Sequence, residues 1–253
     1  MRKFFVDNLD KGMSTCSIKG QEARHIVKAL RMRQGDKAIL MDGKGLACLA
    51  SLIEVSPHEV KARLESTLEA PSHSPVEIHL CQAILKSKPM DYLIQKTTEL
   101  GVDYIYPFNC KYSTIKFEQD RARNKTTHWH KISLAAAKQS GRFIPAVIEK
   151  PCSFNELLEK WSSQDIVKII LWEKEIEQDF KSILKSSRNT GRLVGLVGPE
   201  GGFDHNEIKL AKDAGFIPIS MGNRILRGET AGIALVTLAQ YELGDLRLPF
   251  PLD

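Results

Sequence analysis

"GLVGPEGGFDHNEI", residues 195–208, sets four glycines and a proline between an apolar run and a helical one. The run leading into the turn, "RLVGLV", has the nearly unbroken apolar character of a strand buried on both faces. Beyond it, "FDHNEIKLAKDAG" places Asp204 and Glu207 at capping-box spacing and Gly215 where that helix would stop. Strand, bare turn and helix in that order belong to an α/β sheet, and open α/β sheets take ligands beyond the carboxyl ends of their strands. Glycines at such an end admit three readings: a tight connection, a phosphate cradle, or a seat for a cofactor approached through main-chain atoms.

A second loop has the same grammar. "MGNRILRGET", residues 221–230, follows the strand-like "FIPIS" and carries Arg224, Arg227 and Glu229, as the first loop carries Glu200. Two such loops favour a site over simple turns. Neither is a phosphate motif: there is no G-x-x-x-x-G-K-[ST], and no G-x-G-x-x-G after a first strand. Glu200 would also repel a phosphate at its turn. The loops suit a ligand read by backbone amides and carbonyls that need not be anionic. S-adenosylmethionine, with its sulfonium charge, amino-acid end and adenine, meets that description, although physics alone does not select it.

Working outward, residues 76–253 alternate strand and helix. "VEIHLCQAI", "VDYIYPF" and "VKIILWE" read as strands; "KPMDYLIQKTTELG", "THWHKISLAAAKQSG", "SFNELLEKW" and the apolar "ETAGIALVTLAQYEL" read as helices. Ser153 and Glu156 make a second capping-box pair. This alternation predicts an α/β domain with a mainly parallel sheet. Residues 1–70 differ. They read as a small, mostly β unit, with a strand at "KFFVDNL" and a helix from about Gln21, and "EAPSHSP" (69–75) is the linker that ends them.

The 253 residues carry a net charge of +5, which by itself is compatible with a polyanionic partner and does not require one. The stretch "QEARHIVKALRMRQGDK" concentrates Arg24, Lys28, Arg31, Arg33 and Lys37, either a solvated helix face or a phosphate-binding one. Five cysteines without a C-x-x-C read as free thiols, not as a disulfide framework or a zinc site. His128 and His130 in "THWH" have no further ligands close in sequence, so no metal is expected. No apolar run has the length of a membrane span or a signal peptide, which makes the cytoplasm the expected location.

"GLVGPEGGF" and "MGNRILRGETA" resemble the two signatures of the SPOUT-class methyltransferases, specifically the ribosomal RNA small subunit methyltransferase E family. "EARHIVKALRMRQGD" (22–36), "KSKPMDYLIQKTTELGV" (86–102) and "AAKQSGRFIPAV" (136–147) are similar to further segments of that family, in the same order. The resemblance covers nearly the whole chain. Three departures stand out: Gly228 where threonine is common, Lys138 for a usual glutamate, and Pro89 in a normally more helical segment.

The resemblance implies a PUA-like or OB-like β-barrel followed by a SPOUT-type α/β domain whose C-terminal part forms a deep trefoil knot. It implies a homodimer that transfers a methyl group from S-adenosylmethionine to N3 of a uridine in 16S rRNA, near the decoding region of the small ribosomal subunit. The cofactor would lie against Leu171, Trp172 and Glu173, then Gly198, Pro199, Glu200, Gly201 and Gly202. Met221, Gly222, Asn223, Ile225, Leu226, Arg227, Thr230 and Ala231 would complete its seat, with core packing as the alternative role of Trp172, Ile225 and Leu226. Arg227 is the candidate to hold the uracil oxygens as charge develops. Glu200 and Glu229 are candidates for base or cofactor-orienting group, and Glu229 alternatively for a helix cap. RNA would be gripped by Arg24, Arg31 and Arg33 of the first domain and Lys86, Lys88 and Arg142 of the second. A superfamily member acting on a ribose 2′-oxygen or another RNA, and a non-catalytic RNA-binding protein, are the rival readings.

Overall fold

The computed structural model describes the chain apart from residues 70–73, 115–118, 163–165, 177, 188–189 and 247–253, and apart from the side chains of 119–122. The described residues divide into two compact units: Met1–His73 with Leu134–Pro145, and Ser74–Ser133 with Ala146–Asp253.

In the first unit, alternating side chains build a five-stranded sheet. Its strands are β1 (Arg2–Phe5), β2 (Thr15–Lys19), β3 (Lys37–Met41), β4 (Ala47–Val55) and β5 (Glu59–Leu68), in the order β1-β3-β4-β5-β2. Cys16 and Ile18 show the period-two rule in β2, both buried between exposed neighbours. Register shifts at Leu49/Ala50 and Leu52/Glu54 interrupt the β4–β5 ladder, where bulges bend a sheet. Phe4, Ile18, Ile26, Leu40 and Leu52 form the core.

The basic segment is less helical than its sequence predicts. Helix α1 (Gly20–Arg24) runs into one π-helical turn, His25–Ala29. Leu30 N–H donates to the His25 carbonyl (3.0 Å), and Arg31 then adopts φ +52, which ends the helix. A non-glycine residue in that region is strained.

Residues Leu134–Pro145 join this unit through specific contacts. Lys138 Nζ reaches Glu22 Oε1 at 2.6 Å and lies 5.5 Å from the Phe4 ring centre. Pro145 and Ile144 lie against Gly43 and Gly45. Lys138 therefore has an acidic partner of its own here.

The second unit is a parallel sheet covered on both faces. Its strands are β6 (Glu77–Ala83), β7 (Tyr104–Asn109), β8 (Val147–Ile148), β9 (Cys152–Ser153), β10 (Val167–Leu171), β11 (Arg192–Val197) and β12 (Ile217–Ile219). The order is β12-β10-β11-β6-β7-β8, with β9 also on β7, and every pair is parallel. The helices are α2 (Ser87–Glu99), α3 (Gln119–Ser140), whose residues from Leu134 on belong to the first unit, α4 (Phe154–Ser162), α5 (Phe180–Ser186), α6 (His205–Asp213) and α7 (Gly228–Glu242). One core cluster joins Leu80 to Leu93, Ile94, Leu235 and Val236 from α2 and α7; the other joins Phe108 to Phe154, Trp161 and Ile208 from α4 and α6. Burial on both faces is why these strands read as continuous apolar runs. Gly195 in β11 lets α7 approach, because a Cβ there would lie 2.5 Å from Leu235 Cδ1.

Local chemistry accounts for the helix ends. Asp204 caps α6 in a complete capping box with Glu207, and Ser153 and Glu156 exchange hydrogen bonds at the start of α4. Pro89 falls in the first turn of α2, where a missing N–H costs no helical bond. Among the described residues, no helix is long and apolar enough to cross a membrane.

Candidate active site

Strands β12, β10 and β11 are neighbours and parallel, so their carboxyl ends open on one edge of the sheet. The segments that leave those ends enclose a cavity of about 260 Å³. Leu171, Trp172 and Glu173 supply one wall; Gly198, Pro199, Glu200, Gly201 and Gly202 supply another; Met221, Gly222, Ile225 and Leu226 a third, with Gly228 and Ala231 at the start of α7. Val197, Phe203, Ile219, Ser220 and Arg224 line it as well. The first four of these are strand-end and loop residues whose role only the folded geometry reveals.

Four residues of the predicted set do not line this cavity. Asn223 is exposed in the second loop, Arg227 is the exposed N-cap of α7, and Glu229 and Thr230 fall in that helix's first turn. Glu229 there is well placed to favour the helix dipole. Trp172, read as cofactor seat or alternatively as core, lines the cavity and also packs against the core, with its ring edge-on to His205 at 5.6 Å. Leu226 is also partly buried against the core, whereas Ile225 is 88% exposed.

The first glycine loop is tightly held. Gly202 N–H donates to the Pro199 carbonyl at 2.9 Å, closing a turn over Glu200 and Gly201. Gly202 has φ +70, and a Cβ on Gly201 would lie 2.9 Å from that of Tyr112. Behind the loop, Glu207 accepts from the backbone N–H of Lys111 (2.7 Å) and of Asp204 (2.9 Å). Lys111 Nζ (2.8 Å) and Tyr112 Oη (3.2 Å) both donate to Asp204. The Lys111 ammonium, followed by the Asn206 N–H, holds the Asp204 carboxyl below its ordinary range, and Asp204 in turn raises Lys111. Replacing Gly202 by alanine is expected to cost about 1–2 kcal/mol, the strain of a left-handed L-residue. A melting temperature lowered by a few degrees would show it; no change would mean that the loop adjusts freely.

Arg24, Arg31 and Arg33 are exposed on the first unit, and Lys86 and Lys88 are exposed at the start of α2 in the second. Arg142 is half-buried and lies in the first unit, not the second as expected, because the chain from Leu134 to Pro145 packs there. Of the five free cysteines, Cys16, Cys48 and Cys81 are buried, and burial raises Cys110 and Cys152 to about 11 each. Among the described residues, no three His, Cys, Asp or Glu side chains are grouped to hold a metal.

Residues 72–240 match a family model described as an RNA methyltransferase domain, and residues 18–65 one described as an RNA methyltransferase PUA domain. Fold and site therefore define an RNA methyltransferase with a PUA-type N-terminal domain. Ribosomal RNA small subunit methyltransferase E of Bacillus subtilis is 29% identical over 98% of this chain and 99% of its own. Its namesake in Mesomycoplasma hyopneumoniae is 35% identical over 74% and 79%. A solved structure of the Neisseria gonorrhoeae enzyme of that name, bound to S-adenosylmethionine, matches with a TM-score of 0.89 at 30% identity, covering 97% of this chain and 99% of that one. The chain belongs to the ribosomal RNA small subunit methyltransferase E family.

Proposed function

We propose that this chain binds S-adenosylmethionine in the cavity at the ends of β10, β11 and β12 and methylates N3 of a uridine in 16S rRNA, as presented by a small ribosomal subunit. The observation that carries the reading is the meeting of both glycine loops around one cavity. The residues fit the cofactor. Glycines 198, 201, 202 and 222 leave the main chain open to close approach, Leu171, Met221 and Leu226 offer apolar contact, and the carboxylates of Glu173 and Glu200 suit a cation.

The cofactor supplies an electrophilic methyl group carried on a sulfonium. The acceptor nitrogen bears a proton and is a poor nucleophile until that proton leaves. Glu200 on the cavity wall, or Glu229 in the first turn of α7, takes it. Arg227 holds O2 or O4 of the uracil while negative charge gathers on the ring. No described cysteine lines the cavity, and the high values of Cys110 and Cys152 withhold the thiolate that covalent attack on a pyrimidine carbon would need. That argues against a ring-carbon acceptor, leaving nitrogen and ribose oxygen for the assay to separate. N3 lies on the pairing edge, so the target uridine is unpaired or extruded during transfer. The reading includes a C-terminal trefoil knot around the cofactor, a homodimer, and a place in the cytoplasm, where ribosomal subunits are assembled.

The test is to incubate the protein with methyl-labelled S-adenosylmethionine and unmodified small subunits, digest the RNA and identify the labelled nucleoside. Label in 3-methyluridine is expected, with free 16S rRNA the poorer substrate. Label in a 2′-O-methyl nucleoside would move the chemistry to ribose, and no label with no cofactor binding would favour a non-catalytic RNA-binding protein.

A further inference from the structure

Both glycine loops rest on the carboxyl end of β6, which has no part in the mechanism above. Gln82, fully buried there, donates from Nε2 to the carbonyls of Ala83 (3.1 Å) and Gly198 (3.3 Å). Its Oε1 is buried without a hydrogen-bond partner, beside Gly232, whose Cβ would lie 2.8 Å from it. Enclosing an unpaired amide oxygen is costly, so the position is held against a local disadvantage. Three residues on, Leu85 is 1% exposed. A Cβ on Gly228 would meet Leu85 Cδ2 at 2.8 Å and the Gly198 carbonyl oxygen at 3.2 Å. The same carbonyl thus accepts from Gln82 and lies where a side chain at 228 would begin, and Gly198 and Gly228 both line the cavity.

We propose that Gln82 and Leu85 are positioning residues that set the spacing of the two cofactor loops: Gln82 through the Gly198 carbonyl, and Leu85 by filling the space that a side chain at 228 would take. The inference rests on the cofactor reading. A side chain at 228 would require Leu85 Cδ2, 2.8 Å from the position of its Cβ, to give way, so the two positions form one unit.

The test is calorimetric affinity for S-adenosylmethionine, with melting temperature, on the parent protein and four variants. Gln82→Met is expected to weaken binding about tenfold, the loss of a buried hydrogen bond, with KM for the small subunit unchanged at saturating cofactor. Gly228→Thr should also weaken it about tenfold or more, and Leu85→Ala in the same chain should recover most of that loss, a coupling that two independent defects would not show. Leu85→Ala alone completes the cycle. Affinity within twofold of the parent for Gln82→Met, or a double variant no better than Gly228→Thr, would overturn the proposal while the cofactor reading stands. A melting temperature that falls with affinity unchanged would likewise reduce both residues to packing. A parent protein that binds no S-adenosylmethionine removes the cofactor reading and this inference with it.

Discussion

Arg227→Ala is expected to lower kcat about a hundredfold to a thousandfold, the usual consequence of removing one donor aimed at developing charge. Cofactor affinity and melting temperature should stay close to the parent values. The structure separates these effects. Arg227 is exposed at the N-cap of α7, but its side chain makes no capping bond; the helix is started by its carbonyl, which accepts from Ala231 N–H at 2.8 Å and survives the substitution. Nor does its side chain line the cavity, so cofactor affinity is expected to survive its loss. Arg227→Lys should recover only part of the rate, since a point charge replaces a planar fork that can engage two acceptors. Single-turnover rates at saturating cofactor are the measurement. A full rate in Arg227→Ala would pass the role of stabilising the uracil charge to another group, Arg224 on the cavity wall being the next cation in the same loop.

Features set by a few adjacent residues were legible in the sequence. The capping boxes at Asp204/Glu207 and Ser153/Glu156 form as read, and Gly215 ends its helix with positive φ. The parallel sheet was legible for a similar reason: burial on both faces leaves strands such as "VKIIL" no polar side to show. What escaped depends on partners far along the chain. Strand β2 is half polar and is a strand because β5 pairs with it. Helix α5 has only seven residues, too few for a helical period to show, and Asp179 caps it. Leu134–Pro145 joins the first unit because Lys138 finds Glu22, 116 residues away. The glycine loops marked their own strand ends, but nothing in "LCQAI" marks Gln82, which matters only once Gly198 stands opposite.

Trp161→Ala should be the most destabilising of these substitutions, by about 3–5 kcal/mol, and should leave cofactor affinity almost untouched. Trp161 ends the buried face of α4 at 2% exposure. Its ring meets His79 edge-on at 4.9 Å and Tyr106 at 5.4 Å, while Tyr104 stacks on the far partner, 4.7 Å from His79. Its carbonyl accepts from Lys168 Nζ at 3.1 Å, and the same ammonium donates to the Ala214 carbonyl at 2.9 Å, so one buried lysine satisfies the C-terminal ends of α4 and α6. Alanine keeps that carbonyl and removes the indole, which leaves a void among rings that cannot close over it. The same packing sets a pH dependence. Burial lowers the His79 pKa, outweighing Glu77 Oε1 at 2.5 Å, which raises it. A base whose folded value is depressed contributes fully above its unfolded value, about 6.5, and loses that contribution as pH falls towards the folded one. The parent protein should therefore lose stability as the solution is acidified below about 6.5, and Trp161→Ala, with His79 opened to water, should lose less over the same interval. Denaturant unfolding at several pH values measures both. Equal slopes with pH would mean that the indole does not govern the burial of His79, and a drop below about 1 kcal/mol that the stack relaxes into the space it leaves.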